Sequence, residues 1–218
     1  MSNRNQKLLR LVQLSILSAI IVIMGFTVLG SIPLGGPIVA TIAQVPVVIG
    51  AILLGTKAGM ILGAVFGATS CLYFTIYAYP TSFVFSPVHA VGMAGGNVWL
   101  AVWYAVCALI ICFVPRILIG LVSGVIFQKL KNKNKTLGCI LAGVAGSLVN
   151  TLLVLGGILA FFAAPYYDAN VAMGATDALM VIIGTSVLVN GIPEAIVTPI
   201  LSTAICRPLL AVRKRAEV

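Results

Sequence analysis

Long apolar stretches alternate along this chain with short basic clusters, and the alternation predicts six membrane crossings. Arg4, Lys7 and Arg10, then Lys57, then Lys129, Lys131, Lys133 and Lys135, then Arg207, Arg213, Lys214 and Arg215 make up twelve of the thirteen lysines and arginines. The intervening loops at 31–44, 80–97 and 164–177 contain none. The positive-inside rule therefore places the clusters and both termini in the cytoplasm and the uncharged loops outside. Segments 11–29, 57–79 and 136–163 read as ordinary spans, each long enough to cross about 30 Å of hydrocarbon at helical rise.

The second, fourth and sixth segments differ because each carries proline: Pro46, Pro115, and Pro193 with Pro199. Proline removes one backbone donor and frees the carbonyl four residues earlier, so these helices are expected to kink or break. Discontinuous helices near mid-depth mark binding sites in transporters. The fourth segment, 98–128, exceeds one perpendicular span. Its outer half, with Trp99, Trp103 and Tyr104, is expected at the interface or folded over the outer mouth, with the true crossing starting at Pro115. Small residues four apart (Gly59, Gly63, Gly67; Gly120, Gly124; Ala142, Gly146; Ser15, Ala19) suit close helix contact in lipid.

Composition agrees. Of 218 residues 61% are hydrophobic and 8% charged, against about a quarter charged in soluble proteins. The expected fold is all-α: one polytopic membrane domain over 1–218, a six-helix bundle with kinked or broken helices. The formal charge of +9 reports topology and not a nucleic-acid partner. Arg4, Lys7 and Arg10 with the following apolar run also resemble a signal peptide cleaved near Gly30, but the run is longer than a signal core.

The thirteenth basic residue, Arg116, lies inside an apolar stretch, and an intramembrane charge is a functional-site hypothesis by default. The other polar groups expected at depth are Gln44, Asn150, Asn190 and Glu194. Arg116 and Glu194 each lie thirteen residues from the next basic cluster, about 20 Å at helical rise, and so are expected at one depth. They can neutralise one another and lock two helices. Alternatively, Arg116 offers a forked donor to a ligand carboxylate while Glu194 and the asparagines take hydroxyl and amide groups. Phe85, from the aromatic group Tyr73, Tyr77, Tyr79, Phe83 and Phe85, and Asn97 complete the candidate ligand contacts.

Five cysteines lack metal-ligand or redox spacing, and His89 lacks an orienting partner, so no metal and no cofactor is expected. No Walker A, His-Glu-x-x-His or paired acidic motif is present, and no enzyme is expected.

Gln-Val-Pro-Val-Val-Ile-Gly-Ala-Ile-Leu-Leu-Gly-Thr-Lys-Ala-Gly (44–59), Thr-Ser-Phe-Val-Phe-Ser-Pro (81–87), Val-Pro-Arg-Ile-Leu-Ile-Gly-Leu (114–121), Gly-Ser-Leu-Val-Asn-Thr (146–151) and Val-Asn-Gly-Ile-Pro-Glu-Ala-Ile (189–196) together resemble the substrate-capture S component of energy-coupling factor vitamin transporters, in the branch with riboflavin and pantothenate types. The resemblance implies six helices and an outward pocket closed by the first outer loop and the loop after the third helix. It also implies a transmembrane coupling subunit and two cytosolic ATPases as partners. The coupling subunit would bind through Ala-x-x-x-Ala on the first helix, here Ser15 to Ala19. Serine replaces the first alanine, and Thr56 stands where proline is expected. One arginine with two asparagines and a glutamine favours the monoanion pantothenate; riboflavin is the alternative, on the aromatic cluster. Outside this class, a structural membrane protein or an independent secondary carrier would share the same pattern.

Overall fold

A computed structural model describes residues 3–27, 30–35 and 38–216, with the side chains of residues 3–4, 31–35, 38–40 and 213–216 outside that description. Helix α1 (Asn3–Phe26) leads to an antiparallel hairpin of β1 (Ser31–Gly35) and β2 (Ile38–Thr41), then to the short α2 (Val45–Leu53). Helix α3 (Thr56–Ile76) is followed by a 3-10 turn and α4 (Pro87–Gly92). The long helices α5 (Val98–Leu130) and α6 (Lys135–Phe161) come next. After them come α7 (Ala163–Ala172), α8 (Leu179–Ser186), a π turn at Val187–Gly191, and α9 (Ile192–Ala216).

Among the described residues, five stretches are long and apolar enough to cross a membrane: Asn5–Phe26, Thr56–Ile76, Val98–Leu130, Lys135–Phe161 and Leu179–Val212. The chain is a multi-pass membrane protein. The expected second crossing takes another form. Helix α2 has nine residues, about 14 Å of rise, roughly half a hydrocarbon core. Val45 to Ile52 are all buried, so α2 is an internal half-helix wrapped by its neighbours, and it is joined to α1 through the hairpin. That hairpin is also the one departure from an all-helical chain among the described residues. Pro46 is not in a helix interior; it occupies the first turn of α2, where a missing N–H costs nothing.

Pro115 does not interrupt α5. Helix α5 runs unbroken through it for 33 residues, about 50 Å. Its first turns do not fold over the bundle, because Trp99 and Trp103 stand exposed on the helix surface; Tyr104 packs on Phe162. Only the sixth segment is irregular in mid-course, at the π turn before Pro193.

Glycine builds the seam between α3 and α5. A methyl added at Gly63 would drive into the Arg116 carbonyl, and one at Gly59 would lie 2.9 Å from the Gly120 carbonyl. Such contacts need residues without side chains, because lipid supplies no hydrophobic drive between helices. Between α6 and α9, Gly143 faces Pro199 in the same way. Gln128 Nε2 donates to Thr56 Oγ1 over 2.9 Å, bringing the basic end of α5 to the basic end of α3. Around α2 lies one apolar core, with Val47, Val48, Leu62 and Ile119; a second, with Phe83, Ile111, Ile158 and Phe162, lies toward the opposite end.

Candidate functional site

Phe66 from the first core and Val84 and Ile158 from the second line a cavity of about 850 Å³ between them. Small-molecule sites usually span about 300–1,000 Å³. Thr27, Tyr77, Tyr79 and Thr81, which follow the ends of α1 and α3 remote from the basic clusters, form part of its lining.

Pro115 and its neighbour set one pole. The Ile111 carbonyl would normally accept the amide of residue 115, which proline lacks. Arg116 Nη1 donates to that carbonyl instead, at 2.9 Å. Phe85 and Phe66 flank the guanidinium carbon, with ring centroids 4.9 and 5.7 Å away. Both contacts are attractive, since a ring face is electron-rich. Arg116 is only 7% exposed, and its Nε has no partner.

Opposite lie Asn150 on α6, Asn190 in the π turn and Glu194 on the first turn of α9, all lining the same cavity. The π turn arises where Pro193 denies the Val189 carbonyl its usual donor; the Ile192 amide bonds back to Val187. Thr41, at the end of β2, lines the cavity together with Glu194. Asn150 Oδ1 has no partner. Among the described residues, no carboxylate comes within 4.0 Å of a basic nitrogen, so Arg116 and Glu194 share the cavity without forming an ion pair.

Five of the seven expected ligand contacts thus line one space: Phe85, Arg116, Asn150, Asn190 and Glu194. Gln44 and Asn97 do not. Gln44 is fully buried, with Nε2 donating to Thr198 Oγ1 at 2.8 Å and Ser147 Oγ at 3.2 Å; it fastens the start of α2 to α9 and α6. Asn97 is exposed, and its Oδ1 accepts the Leu100 amide as the N-cap of α5. Of the aromatic group, Tyr73, Tyr77, Tyr79 and Phe85 line the cavity, while Phe83 is buried against Phe162. His89 Nε2 lies 3.2 Å from the Thr75 carbonyl and ties α4 to α3.

Residues 9–206 match the family described as ECF transporter, substrate-specific component. The chain belongs to that family. Among curated proteins it is 36% identical over 181 residues to the pantothenic acid transporter PanT of Lactococcus lactis subsp. cremoris, covering 83% of this chain and 82% of the relative. It is also 36% identical over 134 residues to the pantothenate transporter PanT of Leuconostoc mesenteroides, covering 58% and 56%. This S component is a transport protein.

In the S component, Ser15 and Ala19 are exposed on α1, where Ile21 is the single buried residue among those described. Sequence reasoning missed Phe66, Thr41, Thr151 and Tyr166 as lining residues. Phe66 carried a signal in retrospect: it follows Gly63 by three and so turns toward the same α5 face that holds Arg116. The threonines carried none.

Proposed function

We propose that this S component captures pantothenate from outside the cell and hands it to an ATP-driven coupling module. The observation that carries the reading is Arg116: a buried guanidinium at the cavity wall, free of any carboxylate partner, with Nε unsatisfied. Glu194 acts on Arg116 only through space, with no ion pair between them, and an anionic ligand supplies the direct partner. Asn150, Asn190 and Glu194 then face the hydroxyl and amide groups of the ligand, and Phe85 packs its apolar part. The names of both PanT relatives support the same choice of vitamin. The aromatic wall of Tyr73, Tyr77 and Tyr79 favours riboflavin as the second reading, through stacking.

The basic clusters put both termini in the cytoplasm and the cavity mouth outside, with the hairpin and α2 together serving as the second of six crossings. The exposed Ser15 to Ala19 face of α1 is the docking stripe for a transmembrane coupling subunit, itself joined to two cytosolic ATPases, as the family implies. No chemistry is done on the ligand; the chain is not an enzyme.

The test is titration of the purified full-length chain with a vitamin panel, repeated with Arg116→Ala. Pantothenate is expected to bind between about micromolar and nanomolar, or about −8 to −12 kcal/mol. The variant is expected to stay folded and lose that binding. Tighter binding of riboflavin, or unchanged pantothenate binding by the variant, would overturn the assignment.

A further inference from the structure

Arginine follows proline directly on α5, and the two residues act on the same carbonyl. Ile111 lies four residues before Pro115, so its carbonyl is the one left without a helical donor. Arg116 lies five residues after Ile111, and its Nη1 reaches back to that oxygen at 2.9 Å. With Nη1 so held, no hydrogen bond among the described residues engages Nη2 or Nε. Nε is enclosed by protein, which leaves Nη2 as the donor at the cavity that Arg116 lines. The backbone beneath cannot shift to relieve the arrangement, because Gly63 of α3 lies directly against the Arg116 carbonyl. Phe66 and Phe85 lie against the head group, with ring centroids 5.7 and 4.9 Å from the guanidinium carbon.

We propose that Pro115 is a positioning residue for ligand capture: by withholding an amide, it leaves the Ile111 carbonyl to hold Nη1 of Arg116 and so fixes where the guanidinium meets the ligand carboxylate. This rests on the carboxylate reading of Arg116 and adds what aims it. With any other residue at 115, a backbone N–H competes for the Ile111 oxygen, and Nη1 is released. The charge stays; its direction is lost.

Pantothenate and its neutral alcohol analogue, in which CH2OH replaces the carboxylate, are titrated against purified wild type, Pro115→Ala, Arg116→Ala and the double variant. Pro115→Gly, which restores the same amide, serves as a second version of the first change. Wild type is expected to prefer the acid strongly. Pro115→Ala is expected to lose at least tenfold in affinity for the acid while its affinity for the alcohol stays within twofold, and to add nothing in the Arg116→Ala background. Equal losses for acid and alcohol, an unchanged acid-to-alcohol ratio, or additive losses in the double variant would overturn the positioning role while leaving the carboxylate reading intact. Retention of acid preference by Arg116→Ala would overturn the carboxylate reading and the positioning role with it.

Discussion

Pro115 and Pro193 remove the same backbone donor from two membrane helices, and the chain resolves the loss in opposite ways. On α5 the freed Ile111 carbonyl is taken by a neighbouring arginine, and the helix continues without interruption. At the α8 to α9 junction no basic side chain is adjacent. The backbone there widens into a π turn, with the Ile192 amide reaching Val187. In lipid a freed carbonyl must find some donor, because water is not available to supply one. Where a charged side chain serves, its head group is fixed; where the backbone serves, the side chains of the turn are redirected. The cavity is built between these outcomes, with a rigidly held guanidinium on one wall and the polar groups Asn190 and Glu194 on the other.

The comparison breaks most severely at the α3 to α5 seam, which fixes the Arg116 backbone. Gly63→Leu pushes a side chain into the Arg116 carbonyl and the Ile117 backbone. No monodisperse protein is expected by size-exclusion chromatography, whereas a folded variant would show that the seam is not rigid. Arg116→Lys keeps the charge and removes the planar fork. Pantothenate affinity is expected to fall by about one to two orders of magnitude, since a single-point ammonium cannot offer paired donors; isothermal titration reads this directly.

On the other wall, Glu194→Gln is expected to leave thermal stability nearly unchanged and to weaken binding by less than about tenfold, in line with the loss of one charge-assisted hydrogen bond. A collapse of the fold in that variant would mean that Glu194 and Arg116 depend on one another as a pair. The smallest effect belongs to Asn97→Ala, which removes only the cap of α5. A stability loss of about 1 kcal/mol with unaltered ligand affinity is expected from a thermal melt and a titration in parallel.

The unbroken course of α5 was not legible, because its proline reads as a break until the partner of the Ile111 carbonyl is seen. The spans of α3 and α6 were legible because residues facing lipid must be apolar throughout, and the basic clusters mark one end of each. The stripe of Gly59, Gly63 and Gly67 was legible for the same reason, since close helix approach in lipid has few other signatures. Arg116 stood out as a lone charge. Helix α2 was not legible as a half-helix: a buried segment and a lipid-facing one are equally apolar, and only the packing tells them apart. Gln44 illustrates the same limit for the site. A glutamine at depth either faces a cavity or satisfies buried hydroxyls, and its partners Ser147 and Thr198 lie more than a hundred residues away in sequence. Asn97 shows it too: a position at the start of α5 does not tell a cap from a ligand contact, and the structure makes it the cap.

The most direct measurement is an experimental structure of the purified chain with pantothenate bound. The carboxylate is expected within hydrogen-bond distance of Arg116 Nη2, with Nη1 still on the Ile111 carbonyl. A carboxylate lodged elsewhere in the cavity, or an Arg116 that has left Ile111 to pair with Glu194, would contradict the account.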